Sequence, residues 1–288
     1  MLLTIGDLVE ELTVELADGM RRGRVAEART IRVRGGSAAN VAAITCERGG
    51  AARFVGQAGA DAMGASLVAD LRRRGVDARV STHGVTGVVI NLLQAGYRTT
   101  LVDRGASANL NSADDDVLHG VVQLFVPARS LLADPLATVV EGIVATAQQR
   151  RVPMTLTGLS ADEVAYFGAA AFLDLVATLR PDAVIFTARD HARLELGPDE
   201  PVEGSGSTVV LGSERTAVIT ADGLQHRRSS PPTTVMDRTG ATDGFVAGYL
   251  MSRRAGATHV AAVDAAHRVM SLVMARPGPT TVGDPLGA

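Results

Sequence analysis

The sequence predicts an α/β fold with a mainly parallel central sheet, and three observations predict it. From about residue 117 onward, short apolar runs alternate with longer segments of helical period. In the first hundred residues that rhythm is broken by stretches of alternating polar and apolar residues, which read as β-rich insertions. A 288-residue chain that is 46% hydrophobic and 20% charged has the composition of a globular protein with a sizeable core. No internal repeat or low-complexity linker divides it, so residues 1–288 read as a single domain.

Leu2–Ile5 is a short apolar run stopped by Gly6-Asp7, the pattern of a buried strand. Residues 11–33 alternate around Asp18-Gly19 and suit an exposed hairpin or flap. Gly35-Gly36-Ser37-Ala38-Ala39-Asn40 leads into Val41–Arg48, which is Ala-rich and helical. Ala51–Gly56 reads as a strand, and Gly64–Gly75 as a helix with Leu67, Val68 and Leu71 on one face. Val88–Leu93 is apolar and β-branched, Gln94–Thr99 turns, and Thr100–Asp103 returns as a second piece of the flap. Val117–Val126 is apolar. Leu136–Gln149 reads as a helix, Val152–Thr157 as a strand, Ala161–Leu179 as a helix and Ala183–Thr187 as a strand. Val209–Leu211 and Thr216–Thr220 follow as strands, and Gly244–Arg253 and Val260–Met274 as helices. Ser229–Thr234, with its Pro pair, is a local breaker.

Composition narrows the chemistry. All 28 basic residues are Arg, against 31 acidic ones, for a net charge of −3. A chain without Lys forms no lysine Schiff base and carries no Walker-type phosphate loop or protein-kinase lysine. Any phosphate must be met by Arg, backbone amides, helix ends or a metal. Near-balanced charge, no Trp and three Tyr argue against a nucleic-acid surface. A single cysteine, Cys46, excludes an intrachain disulfide and a Cys-based zinc site, which points to a reducing cytoplasm. No apolar run reaches the roughly 20 residues of a membrane helix. The opening residues lack the basic stretch of a signal peptide.

Two segments carry the candidate chemistry. In Asp237-Arg238-Thr239-Gly240-Ala241-Thr242-Asp243-Gly244-Phe245, small residues lead into an apolar helical run. A helix start presents unpaired amides and partial positive charge, and small residues let an anion approach them. Asp243 there suits a base that accepts a proton from a hydroxyl, or equally an N-cap. In Gly35-Gly36-Ser37-Ala38-Ala39-Asn40, two glycines allow close backbone approach to a ligand. The Asn40 amide, donor and acceptor at once, suits a polyol or merely a first helical turn.

Taken together, the two segments resemble the signatures of the PfkB (ribokinase-like) family of carbohydrate kinases. The first signature corresponds to Gly35-Gly36, Asn40, Gly49 and Gly56-Gln57-Ala58-Gly59-Ala60-Asp61-Ala62-Met63-Gly64, with Gly75-Val76 beyond the next helix. The second, usually Asp-Thr-Thr-Gly-Ala-Gly-Asp, reads Asp237–Asp243 here, and Arg104–Leu110 is similar to the family's segment after the second lid piece. The resemblance spans nearly the whole chain. It implies a Rossmann-like three-layer domain with a small β-lid, contributed by segments of about 11–34 and 88–104. It implies transfer of the ATP γ-phosphoryl group to a sugar or nucleoside hydroxyl with Mg²⁺, Asp243 deprotonating the acceptor and amides around Gly240, Ala241 and Thr242 forming an anion hole. Gly35, Gly36 and Asn40 would bind substrate. It also admits a homodimer through the lid.

The departures fall mostly on the nucleotide side. Thr242 stands where a second Gly is usual, and Arg238 replaces a Thr, to aid phosphate or lie in solvent. The family's Asn-x-x-Glu, which organises Mg²⁺ and its waters, becomes Thr187-Ala188-Arg189-Asp190, leaving Asp190 to act on a metal through water. The nucleotide loop aligns with Val210–Arg215 and keeps only Gly212. His267 replaces an Asn of the last helix and reads as surface or adenine-side packing. On the sugar side, Glu11 replaces an Asp, with Asp7 a nearby alternative. Arg104 would pair with an acidic or phosphorylated substrate, or be solvated. Two readings result: an active sugar or nucleoside kinase with a divergent nucleotide site, or a degenerate member that binds sugar or nucleotide as a sensor or scaffold.

Overall fold

The computed structural model describes the chain except residues 18, 21, 96, 198–199, 213–215, 231–232 and 283–288. Asp18 of the flap turn, Ser213, Glu214 and Arg215 of the expected nucleotide loop, and the Pro pair at 231–232 therefore lie outside the described residues. In chain order the elements are β1 (Leu2–Ile5), β2 (Val9–Leu16), β3 (Ala28–Gly35), α1 (Ser37–Glu47), β4 (Ala52–Ala58), α2 (Ala62–Arg73), β5 (Asp77–Thr82), β6 (Thr86–Gln94) and β7 (Tyr97–Gly105). They continue with β8 (Gln123–Pro127), α3 (Leu136–Gln149), β9 (Met154–Thr157), α4 (Ala161–Phe167), α5 (Ala169–Leu179), β10 (Ala183–Thr187) and α6 (Ala188–His191). The last are β11 (Ser207–Leu211), β12 (Thr216–Ala221), β13 (Leu224–Ser229), α7 (Ala241–Arg254) and α8 (His259–Met274).

Among the described residues, nine strands form the central sheet in the order β13-β12-β11-β10-β9-β8-β1-β4-β5. From β11 to β5 every pairing is parallel, while β12 and β13 close one edge antiparallel. β1, β4 and β8 are buried along their whole length. That is what an apolar run covered on both faces by helices requires. One core packs α1, α2, α7 and α8 on one face, and a second packs α3, α4 and α5 on the other. The fold class read from the sequence is thus the observed one.

The chain leaves β1 toward β4 and β5 on one side and returns later to build β8 to β11 on the other. The strand order therefore reverses beside β1, and such a reversal opens a crevice at the carboxyl ends of the strands. A second sheet, β3-β2-β6-β7, rises from that end: β2 begins four residues after β1 ends, and β3 runs directly into α1.

The structure corrects several expected elements. The helix expected over 161–179 is two helices broken at Gly168, whose φ of 96° cannot continue a helix. β5 and β13 have no counterpart in the sequence reading, because both are edge strands with polar sequences, Asp-Ala-Arg-Val-Ser-Thr and Leu-Gln-His-Arg-Arg-Ser. The apolar run 117–126 contributes a strand only from Gln123. Among the described residues, no helix is long and apolar enough to cross a membrane.

Candidate active site

The site is built where α1 and α7 begin. Gly36 ends the approach to α1 at φ 97°, and a Cβ on it would collide with the Asp7 carbonyl oxygen. Only glycine lets the helix start this close to the end of β1. α7 starts at Ala241, preceded by Gly240 at φ 74°. A Cβ on Gly240 would lie 2.5 Å from Cβ of Pro279, so the C-terminal segment rests directly on the helix start.

Asp243 is not the N-cap; it is the third residue of the first turn, and no side chain among the described residues caps this end. Its carboxylate turns away from its own helix toward α1. Ser37 Oγ donates to Oδ1 at 2.6 Å and Asn40 Nδ2 donates to Oδ2 at 2.9 Å. The residue is 9% exposed. Burial pushes its pKa above the ordinary carboxylate range, against the two hydrogen bonds and the positive field of Arg34, which lower it. Of the amides expected to form an anion hole, that of Ala241 donates to the Arg238 carbonyl at 3.1 Å. The amides of Gly240, Thr242 and Asp243 have no partner among the described residues. Thr242 lies within the helix, so a side chain at this position demands no unusual backbone angle.

On the lid side, Glu11 of β2 accepts from Asn91 Nδ2 at 2.6 Å and lies 3.6 Å from Arg98. Burial raises its pKa, Arg98 and Asn91 oppose the shift, and the negative field of Asp243 adds to it. Arg104 is not solvated and does not stand free for an anion: it clasps Asp7 with Nε at 3.0 Å and Nη2 at 2.7 Å. Arg129 approaches the same carboxylate at 3.8 Å and pairs with Glu163. Cavities of 790 and 730 Å³ meet at Arg104 and Arg129. Gly35 closes β3 against Val9 and Glu11.

On the nucleotide side, Thr187 caps α6 and donates to Asp190 Oδ2 at 2.6 Å, while the Ala161 amide donates to Oδ1 at 2.8 Å. Asp190 therefore ties the start of α4 to α6. Gly212 donates its amide to the Thr216 carbonyl at 2.7 Å. The Arg238 side chain is exposed. His267 is not a surface residue: it is 1% exposed, edge-on to Phe245 with ring centroids 5.3 Å apart, and neither ring nitrogen has a partner among the described residues. No group of three or more His, Cys, Asp or Glu side chains among the described residues could hold a metal ion. Mg²⁺ thus fits here only as it travels with nucleotide phosphates, since magnesium commonly keeps its waters and takes few carboxylates.

The sequence reading does not single out Ser37, Arg34 or Asn91. Ser37 sits inside the quoted motif, but its contact with Asp243 spans 206 residues. Nothing local marks Arg34 as buried, because it ends a strand whose first half is exposed.

A model of the pfkB carbohydrate kinase family matches residues 2–285. Among solved structures, adenosine kinase from Sinorhizobium meliloti is similar with a TM-score of 0.84 at 20% identity, covering 99% of this chain and 96% of that one. A probable sugar kinase from Rhizobium etli CFN 42 gives 0.82 at 21%, covering 99% and 96%. A putative ribokinase II from E. coli, solved with ATP and Mg²⁺, gives 0.82 at 18%, covering 96% and 94%. No curated protein sequence matches the chain.

Proposed function

The chain belongs to the pfkB family of carbohydrate kinases, and from that premise we propose that it transfers the γ-phosphoryl group of ATP to a hydroxyl of a sugar or nucleoside in the cytoplasm. The observation that carries this reading is Asp243: a buried carboxylate in the first turn of an uncapped helix, bonded across the crevice to α1 and not to its own helix. Phosphoryl transfer asks for alignment and charge stabilisation more than for covalent chemistry. The acceptor hydroxyl gives its proton to Asp243, whose raised pKa suits a base working nearer neutrality. The open amides of Thr242 and Asp243, at the positive end of α7, bear the charge of the phosphoryl group in flight. Glu11 and Asn91 face the acceptor from the lid. Mg²⁺ bound with the nucleotide would supply neutralisation of the phosphate charge. The Arg104–Asp7 pair leaves the acceptor pocket without a free cation at this point, which supports a neutral polyol over a phosphorylated acceptor.

One observation favours the second reading, a ligand-binding member without efficient transfer: both oxygens of Asp190 are already bonded within the protein. ATP consumption over a panel of sugars and nucleosides, with wild type and Asp243→Asn side by side, separates the two. The kinase reading expects an accepted substrate and a loss of about 10²–10⁴-fold in kcat in the variant. Equal low turnover by both proteins, with a ligand that raises the melting temperature, sinks it in favour of a binding protein.

A further inference from the structure

A chain of buried charges leads away from Asp243 and is not used by the proposed chemistry. Asn40 holds Asp243 through Nδ2, and its own Oδ1 accepts from Arg34 Nε at 3.1 Å. Arg34 is 1% exposed and spends its other two nitrogens elsewhere: Nη1 pairs with Asp70 of α2, and Nη2 donates to the Pro279 carbonyl at 3.1 Å. Asp70 is also bonded by Arg74 Nε at 3.0 Å, and Arg74 pairs in turn with Glu47. The Glu47 carboxylate accepts from the Thr281 amide at 2.6 Å and from the hydroxyls of Thr280 and Thr281 at 2.9 Å. The strap 278–281 is thereby fastened from below, and Gly278 is fastened from the other side by Asp237 Oδ2 at 2.8 Å. Pro279 of that strap is the residue that rests on Gly240.

Two consequences follow from donor and acceptor chemistry alone. A guanidinium only donates and a carboxylate only accepts. An amide placed between them has one workable orientation, with its oxygen on Arg34 and its nitrogen on Asp243. Turning it over would set donor against donor and acceptor against acceptor. Oδ2 of Asp243 is therefore held as an acceptor. Oδ1, which faces the rotatable Ser37 hydroxyl, is the atom free to take a proton. The same guanidinium also fixes the Pro279 carbonyl, so the seat of Gly240 depends on it.

We propose that Arg34 is the positioning residue of this site: one buried guanidinium sets the Asn40 amide that orients Asp243 and, through Pro279, the start of the helix that carries the open amides. The proposal rests on the phosphotransfer reading only for its kinetic consequence.

Arg34→Lys tests it, since a lysine keeps a charge for Asp70 but has no fork to reach Asn40 and Pro279 as well. The readout is the ¹³C titration of the Asp243 carboxyl, assigned by its absence in Asp243→Asn. The groups facing that carboxyl are Ser37 and Asn40 of α1, Arg34 of β3 and Glu11 of β2, and only Arg34 changes. The titration is expected to move up by about one pH unit, because a hydrogen bond to the charged form is loosened. With an accepted substrate, kcat is expected to fall about 10- to 100-fold at little-changed KM, the cost of a displaced group. A titration and a kcat that both match wild type would overturn the proposal, whatever happens to the melting temperature. If Arg34→Lys does not fold, Arg34→Gln with Asp70→Asn removes both charges of the pair together and takes the same titration, with the same two outcomes. If wild type transfers phosphate to nothing, the phosphotransfer reading fails and the titration alone decides the role of Arg34.

Discussion

Asp243 is placed under opposed demands, and they fix how it should respond to pH. Burial favours its protonated form, so its pKa lies above the ordinary carboxylate range. A carboxyl with a raised folded-state pKa binds protons more readily folded than unfolded. Its contribution to stability is therefore present at low pH and is lost as the pH rises through the window between the ordinary value, about 3.9, and the raised one. The base, in contrast, works only when ionised. Activity is expected to fall on the acid side through the raised pKa, above the window in which an exposed Asp titrates. A kcat/KM profile flat down to that window would show that Asp243 is not the group being titrated. At this scale the sequence revealed the types of residue but not their partnership. Asp243 and Asn40 stand out in their motifs, because each is a polar residue three or four positions after a glycine that opens a helix otherwise built of small and apolar residues. That they bond each other across 203 residues, and that Arg34 stands behind them, follows from how α1 and α7 meet.

Among the elements, legibility tracks burial. α3 could be read at Leu136–Gln149 because Leu136, Val140, Ile143, Val144 and Ala147 repeat along one buried face. The central strands could be read because both of their faces are apolar. β5 and β13 could not, since an edge strand is protected by polar residues and looks like a loop. The break between α4 and α5 was signalled only by Gly168, and a lone glycine in a helical pattern is more often tolerated than not. The packing of α7 on α8 contains a buried histidine, His267, with no hydrogen-bond partner among the described residues, and burial lowers its pKa. The unfolded chain takes a proton near the ordinary value of about 6.5 that the folded chain refuses. The stability from this group is thus complete above that pH and is lost as the pH falls below it. His267→Leu, of similar volume, removes two unpaired buried nitrogens and is expected to stabilise by about 1 kcal/mol. It should also flatten the acid side of the melting curve. Thermal melts from neutral pH downward, compared between the two proteins, check this. Parallel curves would mean that His267 finds a partner in solution.

Across the whole molecule, the second sheet has two faces of different character, and the strand register separates them. Residues directly opposite one another share a face. Thr13, Asn91 and Thr100 stand in one row across β2, β6 and β7, and with Glu11 they make the polar face that looks onto Asp243. Leu12, Ile90 and Leu101 make the adjoining row on the opposite face, followed by Val14 and Leu92. This second face is open: its four inner residues are half-buried, Leu101 is 55% exposed, and Tyr97 at the end of the same face is 80% exposed. A continuous apolar patch on one side of a small sheet is unfavourable in water and is usually covered. A sheet face with this pattern is well covered by a second copy of itself about a two-fold axis, the commonest symmetry of soluble oligomers. The protein is therefore expected to behave in solution as a dimer through the lid, with a mass twice 29.8 kDa by light scattering. Leu12→Asp with Leu101→Asp places charges in the middle of that face and leaves the polar face untouched. This variant should elute as a folded monomer, with unchanged circular dichroism. A wild-type protein that is monomeric at every concentration tested would defeat the prediction. So would a double variant that stays dimeric, because it would place the contact on another surface.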